Sequence, residues 1–563
     1  MTIKIPFKRP AAYWSLLFFY LAFPILASVI METETHLTKR IIYNLISAFG
    51  LLLPFALLPR RHTILLILYI FVYIIYWLNI CHLSIFHCPL LSQSVQIILD
   101  SNIREMKEFV INFGSDSGFG FFILYTAVIL LTFFIRSKLH YAPDYSKKLI
   151  FYCSVALLFA VSKGFHQQQY SRYQLVPYRV IASTIDYYKD IYNLIRLRQK
   201  HQIPVITGLK SRFPQNRAET YIVVIGESAA REHLGCYGYN RNTTPFSSGI
   251  LKPYIFTNVT SPHASTMLSL RDTLTFARKD NVSEGLRHGS LINIFNQAGF
   301  KTFWISNQFS RGYHDNMTSV LAHDAKVVNF INNSDKSYIA EKLRDSHYDE
   351  KLLSPIRQAL RDQAHKKIIF VHLGGSHTPY SYRFPEQFDF FRENNQNAFT
   401  REFDDYDNSI RYTDYFLHHL IQILDSTNHT TALYYSPDHG EDLLDDDRKR
   451  FLHASPHPTY YQLHIPLFLW FSDQYRQEFP ERYATALANQ TQPVSTIVAF
   501  HTMLDMASIT TPLLNTGYSL ISPDYKARRR MYLTDHDQPI FWYNSGLKKQ
   551  DKAMIEKNHL DHR

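Results

Sequence analysis

The sequence predicts a chain in two parts, a helical membrane domain of five spans followed by a doubly wound α/β domain. Apolar runs of near-span length crowd the first 165 residues and then stop. From about residue 218, short β-rich runs alternate with helical patterns, which is typical of a parallel sheet covered by helices. Tyr221–Ile225 is the clearest strand, because an unbroken apolar run of this length suits a strand buried on both faces. The predicted domains are residues 1–165, a connector at 166–217, and residues 218–563.

Five apolar runs make up the membrane domain, and each is close to the ~20 residues that cross a bilayer as a helix. The last run is the shortest. A cleavable signal peptide is not expected, because the first run is span-length and further spans follow it. The runs are Ala12–Met31, Ile41–Leu58, Thr63–Phe86, Gly118–Ile135 and Leu149–Phe165.

Basic residues in the short loops predict the orientation of these spans. Cations precede the first span and lie in the second and fourth loops, and the positive-inside rule makes these segments cytoplasmic. The loop at 88–117 carries more acidic than basic residues and suits the outer face, whereas Lys39 and Arg40 run against the pattern. The N-terminus is therefore expected in the cytoplasm and everything after Phe165 outside. The cytoplasmic cations are Lys4, Lys8, Arg9, Arg60, Arg61, Arg136, Lys138, Lys147 and Lys148.

The net charge of +11 favours a membrane surface over nucleic acid as a partner. Several of the cations belong to the topology signal, and the second half of the chain has no basic run interleaved with aromatic residues. Of the four cysteines, only Cys236 lies in the exported part. That part therefore cannot form an internal disulfide, although its compartment permits one.

The connector contains a helical pattern that begins near Pro177. Its apolar residues recur at helical spacing, and Arg196, Arg198 and Lys200 cluster at its end. An amphipathic helix lying along the lipid interface fits this pattern, and a helix packed on the globular domain fits it equally well.

The α/β domain shows four clear strands, two clear helices and no internal repeat. The helices are predicted at Ser290–Ala298 and Asp407–Leu424, where apolar residues recur at helical spacing. The strands are Tyr221–Ile225, Lys301–Ile305, Lys367–Leu373 and Thr431–Tyr435.

Three of the strands end in polar groups that can bind a metal ion. Glu227 follows the first, His377 follows the third, and Asp438 and His439 follow the fourth, where Gly440 allows the backbone to turn away. Open α/β sheets bind their ligands at the carboxyl ends of the strands. Each residue alone is more often structural, but together they favour a site. Glu227, Asp438 and His439 offer two oxygens and a nitrogen, and one further oxygen would complete a tetrahedral zinc site.

Several blocks resemble the lipid phosphoethanolamine transferases, which belong to the alkaline phosphatase and sulfatase superfamily. The resemblance covers residues Tyr221 to Trp470 and agrees with a five-span anchor. It implies an alkaline-phosphatase-like catalytic domain in the periplasm, attached to a multi-pass anchor in a bacterial inner membrane. The blocks are Gly226-Glu227-Ser228, Tyr237 to Pro245, Gly375-Ser376-His377, Tyr406 to Phe416, Ser436 to Glu441, and Phe451-Leu452-His453.

The resemblance also implies the fourth metal ligand, a threonine that is at the same time the nucleophile. The matching turn is Thr260 to Leu270, and the match falls on Thr266, with Ser265 as the nearby rival. A helix N-terminus suits this role, because its dipole and free N–H groups favour an alkoxide and then a phosphate. For either hydroxyl, a plain N-cap is the alternative role. One zinc ion is expected, and a second is compatible with the resemblance.

Further site residues follow from the resemblance, together with two departures from it. His377 and His453 are expected to hold the phosphate, act as acid and base, or bind a second ion. A lysine that holds phosphate in the family has no clear counterpart, and Asn307 and Arg311 are weak substitutes. Related enzymes carry a disulfide across the nucleophile turn, but Pro262 and Asp272 occupy those positions here, so packing alone is expected to hold the turn. His457 and His464 are expected to be bystanders.

The implied reaction moves phosphoethanolamine from phosphatidylethanolamine to an outer-surface acceptor, through a covalent phosphothreonine. Lipid A or the lipopolysaccharide core is the expected acceptor. A glycerophosphotransferase of the lipoteichoic acid type has the same anchor, metal set and threonine. A sulfatase is less favoured, because Cys236 is not followed by the maturation signal of sulfatases. A non-catalytic receptor or scaffold on the same fold is the alternative from a different class.

Overall fold

The protein is described here by a computed structural model, in which the chain divides into two compact units. Residues 1–187 with 535–538 form the first unit, and residues 188–534 with 539–563 form the second. The described residues are 9–31, 37–58, 61–86, scattered positions between 90 and 134, 146–166, 176–199, 205–251, 254–277, 282–308, 317–332, 348–392, 398–453, 458–533, 539–541 and 548–560.

The first unit is helical, and α6 runs across the division between the units. Among the described residues, two helices are long and apolar enough to span a membrane, at Ala11–Ile30 and Ile64–Leu83. The helices are α1 (Arg9–Met31), α2 (Leu37–Gly50), α3 (Leu53–Leu57), α4 (His62–Phe86), α5 (Lys147–His166) and α6 (Val176–Gln199).

The other three predicted spans differ in outcome. The run Ile41–Leu58 is divided between α2 and α3, because Pro54 in the first turn of α3 lacks the N–H that a continuous helix needs. The run Leu149–Phe165 lies within α5. Gly118–Ile135 lies largely outside the described residues. Two spans are thus supported, and the count of five stays a prediction.

The packing of the first unit suits a lipid environment. Leu17, Phe55, Leu66 and Cys153 join α1, α3, α4 and α5 in one apolar cluster. Large apolar side chains point outward, with Phe71 75% exposed. Such a surface is disfavoured in water and is expected against lipid tails.

The second unit contains a seven-stranded sheet with helices between its strands. The strands of the unit are β1 (Lys210–Ser211), β2 (Glu219–Gly226), β3 (Ile255–Phe256), β4 (Val259–Thr260), β5 (Lys301–Ser306), β6 (Val327–Phe330), β7 (Lys366–His372), β8 (Thr430–Pro437), β9 (Asp442–Leu443), β10 (Phe451–Leu452), β11 (Leu467–Phe471), β12 (Val494–Ser495), β13 (Ile509–Thr510), β14 (Met531–Leu533) and β15 (Pro539–Phe541). The helices are α7 (Ser248–Leu251), α8 (Thr266–Leu274), α9 (Val282–Arg287), α10 (Leu291–Gln297), α11 (Met317–Ala322), α12 (Leu353–Leu360), α13 (Ala398–Asp425), α14 (Tyr460–Leu463), α15 (Asp473–Glu478), α16 (Pro480–Ala488), α17 (Ala499–Met506) and α18 (Lys549–Lys557).

The predicted α/β architecture is confirmed. The strand order is β3-β11-β8-β2-β7-β5-β6, with β8, β2, β7, β5 and β6 parallel. At one edge β11 pairs antiparallel with both β8 and β3. The four predicted strands are β2, β5, β7 and β8, each within two residues of its predicted ends. Ser290 is the N-cap of α10, and its capping box with Asn293 fixes the start of that helix.

The central strand, β2, is fixed at both ends by contacts with its neighbouring strands. At its amino end, Glu219 lies opposite Lys366 of β7, and Lys366 Nζ is 3.1 Å from Glu219 Oε1 in a buried ion pair. At its carboxyl end, Gly226 pairs with Pro437 of β8. Because β2, β7 and β8 are parallel and in register, the residues that follow them meet at one edge of the sheet.

Helix α13 braces the loop that follows β2. The Tyr406 hydroxyl donates to the Ser228 carbonyl at 2.7 Å and accepts from the Ala230 N–H at 2.8 Å. Further along the helix, Asp414 accepts from the N–H of Phe246 at 2.8 Å. The helix was predicted from Asp407 but begins at Ala398, and Phe399, Phe403 and Tyr406 recur at helical spacing among its mostly polar first turns.

His233 lies in the loop after β2 and is a buried cation that adds to the contacts between this loop and α13. Its Nδ1 lies 2.6 Å from Asp407 Oδ1, and its Nε2 lies 3.5 Å from Asp445 Oδ1. Burial lowers the pKa of His233, but the hydrogen bonds and charges of the two aspartates outweigh it and hold this pKa at about 9. The folded state therefore binds this proton more tightly than the unfolded chain does.

We expect the pH dependence of stability to reflect His233. Its contribution is complete below the unfolded pKa of about 6.5 and is lost as pH rises towards 9, at up to about 1.4 kcal/mol per pH unit. Denaturant unfolding of the full-length protein in detergent, followed by tryptophan fluorescence from pH 6 to 9, measures this slope. His233→Gln should flatten the slope, and an unaltered slope in this variant would contradict the assignment.

Candidate active site

Glu227 lies at the carboxyl end of β2 and is 1% exposed. Its Oε1 accepts a hydrogen bond from the Ser228 hydroxyl at 2.8 Å. The turn after β7 packs directly against it: a Cβ at Gly375 would lie 2.9 Å from the Cβ of Glu227, and Gly375 has a φ of +49°. Glycine is required there, because any side chain would collide with the backbone that presents Glu227.

Asp438 and His439 follow β8 and face Glu227. Asp438 Oδ1 accepts from the N–H of Ser228 at 3.1 Å and from the N–H of His439 at 2.8 Å. Nδ1 of His439 lies 2.8 Å from the carbonyl of Gly440, and since a carbonyl only accepts, Nδ1 carries the proton. Its Nε2 is then an available ligand.

Gly440 allows the chain to turn beneath this pair. A Cβ at this position would lie 2.1 Å from the carbonyl oxygen of Tyr461. The close approach, rather than an unusual φ, is what requires glycine in the Asp-His-Gly sequence.

Thr266 is the first residue of α8, and Ser265 is the N-cap. Oγ1 of Thr266 lies 3.4 Å from Glu227 Oε2 and 3.4 Å from His439 Nε2. The structure thus brings Glu227, Thr266, Asp438 and His439 together, although they are far apart in the sequence. Their roles as ligands and nucleophile stay predictions at this point.

The donor atoms are spaced as ligands of one small cation would be. Glu227, Asp438 and His439 each offer one ligand atom, and these three atoms lie within 4.8 Å of one another. His439 Nε2 is 3.3 Å from Asp438 Oδ2 and 3.7 Å from Glu227 Oε1. Tetrahedral ligands at zinc bond lengths of about 2.0 Å are about 3.3 Å apart. The residues therefore fit a zinc ion in both type and spacing.

The electrostatics of the site also favour a cation. Burial raises the pKa of Glu227 well above its ordinary range, and the charge of Asp438 raises it further. Among the described residues, Asp438 Oδ2 is buried and has no hydrogen-bond partner. Two buried carboxylates this close cannot both remain ionised unless a cation compensates them.

His453 and His377 form a second group beside the first. His453 Nδ1 donates to Glu441 Oε2 at 2.9 Å, and its ring lies 4.1 Å from that of His439. Burial lowers the pKa of His453, but the Glu441 carboxylate raises it above the ordinary value. Burial and Arg383 lower the pKa of His377 to about 3, so this ring is neutral.

The weak substrate candidates occupy different places. Asn307 is buried, and its amide donates to Asp349 Oδ1 at 2.8 Å. Asp349 in turn accepts from the N–H groups of Gly374 and Gly375 at 2.8 and 2.9 Å. This geometry gives Asn307 a role in holding the turn after β7, and its expected contact with substrate stays a prediction. Arg311 lies outside the described residues.

Gln308 is the site residue that the sequence did not indicate. Its amide nitrogen donates to Glu227 Oε2 at 3.2 Å and to the Leu373 carbonyl at 2.9 Å. The only available signal was its position two residues beyond β5, and the sequence does not show which of these side chains turns towards the site. His464 is bonded to Glu232 and Tyr460, at 2.8 and 2.6 Å, and His457 lies outside the described residues.

The family and its relatives follow from comparison with known proteins. The sulfatase family model matches residues 219–509, just over half of the chain. The chain belongs to the sulfatase family. This sulfatase-family protein is similar to phosphoethanolamine transferase EptC of Escherichia coli K12, with 27% identity over 560 residues, 93% of this chain and 94% of the relative. It is also similar to phosphoethanolamine transferase CptA of Salmonella typhimurium, with 26% identity over 94% of each chain. The expected resemblance is confirmed.

Solved structures extend this likeness to both units of the sulfatase-family chain. The periplasmic domain of Escherichia coli EptC in complex with zinc has 29% identity and a TM-score of 0.56, over 62% of this chain and 98% of that one. The integral membrane protein EptA of Neisseria meningitidis has 20% identity and a TM-score of 0.66, over 91% and 98%. The latter shows the fold alone. The second unit thus has the alkaline-phosphatase-like periplasmic fold, and the N-terminal region has the fold of a membrane region.

We expect Asp438→Asn to abolish stoichiometric zinc binding. Asparagine keeps the shape and the Oδ1 hydrogen bonds but removes the charge that a divalent cation needs beside Glu227. Metal analysis of the purified full-length protein after dialysis checks this. Asp362→Asn, which alters an ion pair with Lys301 at the start of β5, is the matched control and should keep its zinc. A folded Asp438→Asn protein with full zinc content would contradict the site.

Proposed function

We propose that this protein is a zinc-dependent phosphoethanolamine transferase of the bacterial inner membrane. It takes phosphoethanolamine from phosphatidylethanolamine, carries it on Thr266, and passes it to lipid A or the lipopolysaccharide core in the periplasm. The observation that carries the proposal is the convergence of Thr266 with Glu227, Asp438 and His439. The similarity to phosphoethanolamine transferases along 93% of the chain supports the reaction class.

The relatives support the acceptor class. One of them, from Escherichia coli K12, is named Kdo(2)-lipid A phosphoethanolamine 7''-transferase and is 28% identical over 46% of this chain. Membrane attachment keeps such an enzyme where its lipid donor and lipid acceptor lie. The proposed topology has five spans, a cytoplasmic N-terminus and a connector helix at the lipid interface.

The first half of the reaction forms the covalent intermediate. Oγ1 of Thr266 attacks the phosphorus of phosphatidylethanolamine. The bond between Oγ1 and phosphorus forms, and the bond between phosphorus and the diacylglycerol oxygen breaks. A zinc ion held by Glu227, Asp438 and His439 would lower the pKa of the Thr266 hydroxyl, so that its proton is released to solvent and Oγ1 attacks as the oxyanion. The N-terminus of α8 adds its dipole and free N–H groups beneath the transferred phosphate.

The histidines move the protons. His453 is oriented through Nδ1 by Glu441, so its Nε2 can donate a proton to the departing diacylglycerol oxygen. In the second half the acceptor oxygen attacks phosphorus, the Thr266–phosphorus bond breaks, and His453 takes up the acceptor's proton. His377 donates through Nδ1 to the Thr378 carbonyl at 2.6 Å, which leaves Nε2 as an acceptor for a hydroxyl or ammonium group of the substrates.

The donor decides between this proposal and a glycerophosphotransferase. Full-length protein is reconstituted into vesicles of phosphatidylethanolamine with phosphatidylglycerol, and lipid A and core oligosaccharide are added as separate acceptors. Mass spectrometry should show phosphoethanolamine on an acceptor and diacylglycerol released from phosphatidylethanolamine alone. Consumption of phosphatidylglycerol with transfer of glycerophosphate would overturn the donor assignment. Intact lipids with a zinc-loaded protein would favour a receptor or scaffold.

The covalent step is tested at Thr266. We expect the enzyme quenched with donor but without acceptor to carry phosphoethanolamine on the peptide that contains Thr266. Thr266→Ala should trap no adduct and lose at least about 100-fold in turnover, because the nucleophile is gone. Thr266→Ser keeps a hydroxyl and should retain an adduct. Normal turnover by Thr266→Ala, or an adduct on Ser265, would exclude Thr266 as the nucleophile.

A further inference from the structure

Thr266 is the first residue of α8, and the N-cap of this helix does not fix the position of Thr266. The N-cap residue of α8 is Ser265, but its side chain makes no capping hydrogen bond. A serine in this position ordinarily accepts from a free N–H of the first turn and so fixes the start of the helix. The position of Thr266 must therefore be set by contacts outside the first turn.

Ser261 supplies one such contact, on the strand side of the turn. Its hydroxyl lies 2.6 Å from the carbonyl of Asp438 and 2.7 Å from the carbonyl of His263, and it accepts from the His263 N–H at 3.3 Å. It also lies 3.0 Å from the hydroxyl of Ser269 in α8. The base of the turn is thus tied both to the metal-site strand end and to the helix.

A buried ion pair closes the turn from the other side. His263 Nε2 donates to Asp272 Oδ2 at 2.9 Å across a sequence separation of nine residues. Both residues are buried, and Arg271 Nε donates to the other oxygen, Oδ1, at 2.7 Å. Burial raises the pKa of Asp272, but Arg271 and His263 outweigh it and hold this pKa below its usual range. The carboxylate is therefore ionised and bonded on both oxygens.

This pair corrects one expectation from the sequence. With Pro262 and Asp272 at the positions that bracket the turn, packing alone was expected to hold it. That expectation was wrong, because Asp272 reaches back across the turn to His263 and forms a polar crosslink.

We propose that the His263–Asp272 ion pair is a positioning device for the nucleophile. It closes the loop that carries Thr266 and keeps Oγ1 beside Glu227 and His439. His263 and Asp272 bond to each other and, through Asp272, to Arg271, so we assign both a role that acts through Thr266. The inference rests on the proposed role of Thr266 as nucleophile, since a fixed position matters only to a group that reacts.

The two ends of the pair are not equivalent. Replacing His263 leaves Asp272 compensated by Arg271, so His263→Leu opens the crosslink without stranding a charge. Replacing Asp272 leaves Arg271 buried without its partner, which is destabilising in general. His263→Leu is therefore the primary variant, and Asp272→Glu, which keeps the charge but displaces the oxygens by one methylene, is the second.

The expected result is a loss of kcat with the KM for phosphatidylethanolamine nearly unchanged. A misplacement of about 1 Å at a nucleophile costs on the order of 100-fold, so His263→Leu should lower kcat by about 10- to 100-fold. The double variant His263→Leu/Asp272→Glu, which keeps the charge beside Arg271, should be no slower than His263→Leu, because both changes open the same crosslink. Asp362→Asn, at the start of β5, is the control ion-pair variant and should have wild-type kcat.

Hydrogen exchange of the full-length protein provides a readout that does not depend on turnover. Amides of residues 264–270 should exchange faster in His263→Leu, while those of β2 and β8 should not change. A folded His263→Leu protein with wild-type kcat, or with unchanged exchange in 264–270, overturns the inference. If His263→Leu does not fold, Asp272→Glu is measured in its place, and wild-type kcat there overturns it equally. An inactive wild-type protein would overturn the proposed function alone, and the exchange data would still test the crosslink.

Discussion

The catalytic unit is built around two carboxylates that are buried at the same edge of one sheet. Glu227 and Asp438 are nearly inaccessible to solvent. The hydrogen bonds around them orient the carboxylate oxygens but do not cancel their negative charge. The N–H groups of Ser228 and His439 both bind Oδ1 of Asp438, which leaves Oδ2 directed at the point that Glu227, His439 and Thr266 share. Hydrogen bonds to one oxygen of a carboxylate fix its rotation and prepare the other as a ligand. The rest of the unit keeps this arrangement in place.

Keeping it in place requires main chains to approach one another unusually closely. At Gly375 a Cβ would collide with the backbone of Glu227, and at Gly440 it would collide with the backbone of Tyr461. Ser228 holds a φ of +53°, a conformation that is uncommon for serine, and the hydroxyl of Tyr406 binds the carbonyl of Ser228 and the N–H of Ala230. Strain of this kind persists only where the surroundings enforce it. Helix α13 supplies that enforcement.

The sequence predicted the features that depend on local pattern. The apolar side chains of a run such as Tyr221–Ile225 are best buried on both faces of a strand, so β2 could be predicted. The ligand-type residues that follow such strands could be predicted from their order in the sequence. The contact of Gln308 with Glu227 could not, because the direction of a side chain just beyond a strand depends on the turn that follows. The early start of α13 could have been predicted, because Phe399, Phe403 and Tyr406 recur at helical spacing among the polar residues of its first turns. The number of spans could not be settled either, since Pro54 divides one apolar run into two helices.

The second unit has a single cysteine, Cys236, and cannot form an internal disulfide, and the His263–Asp272 pair shows how polar groups can instead close the loop that carries Thr266. An ion pair exposed to solvent would add little, because water screens it and the side chains remain free to move. Here both partners are buried and the carboxylate is also held by Arg271, so neither can leave without stranding a charge or a polar group in the interior. A low pKa for Asp272 means that its stabilising contribution is present above the ordinary carboxyl range and is lost only in strong acid. The crosslink is therefore present at neutral pH and, unlike a disulfide, is independent of the redox state of its surroundings.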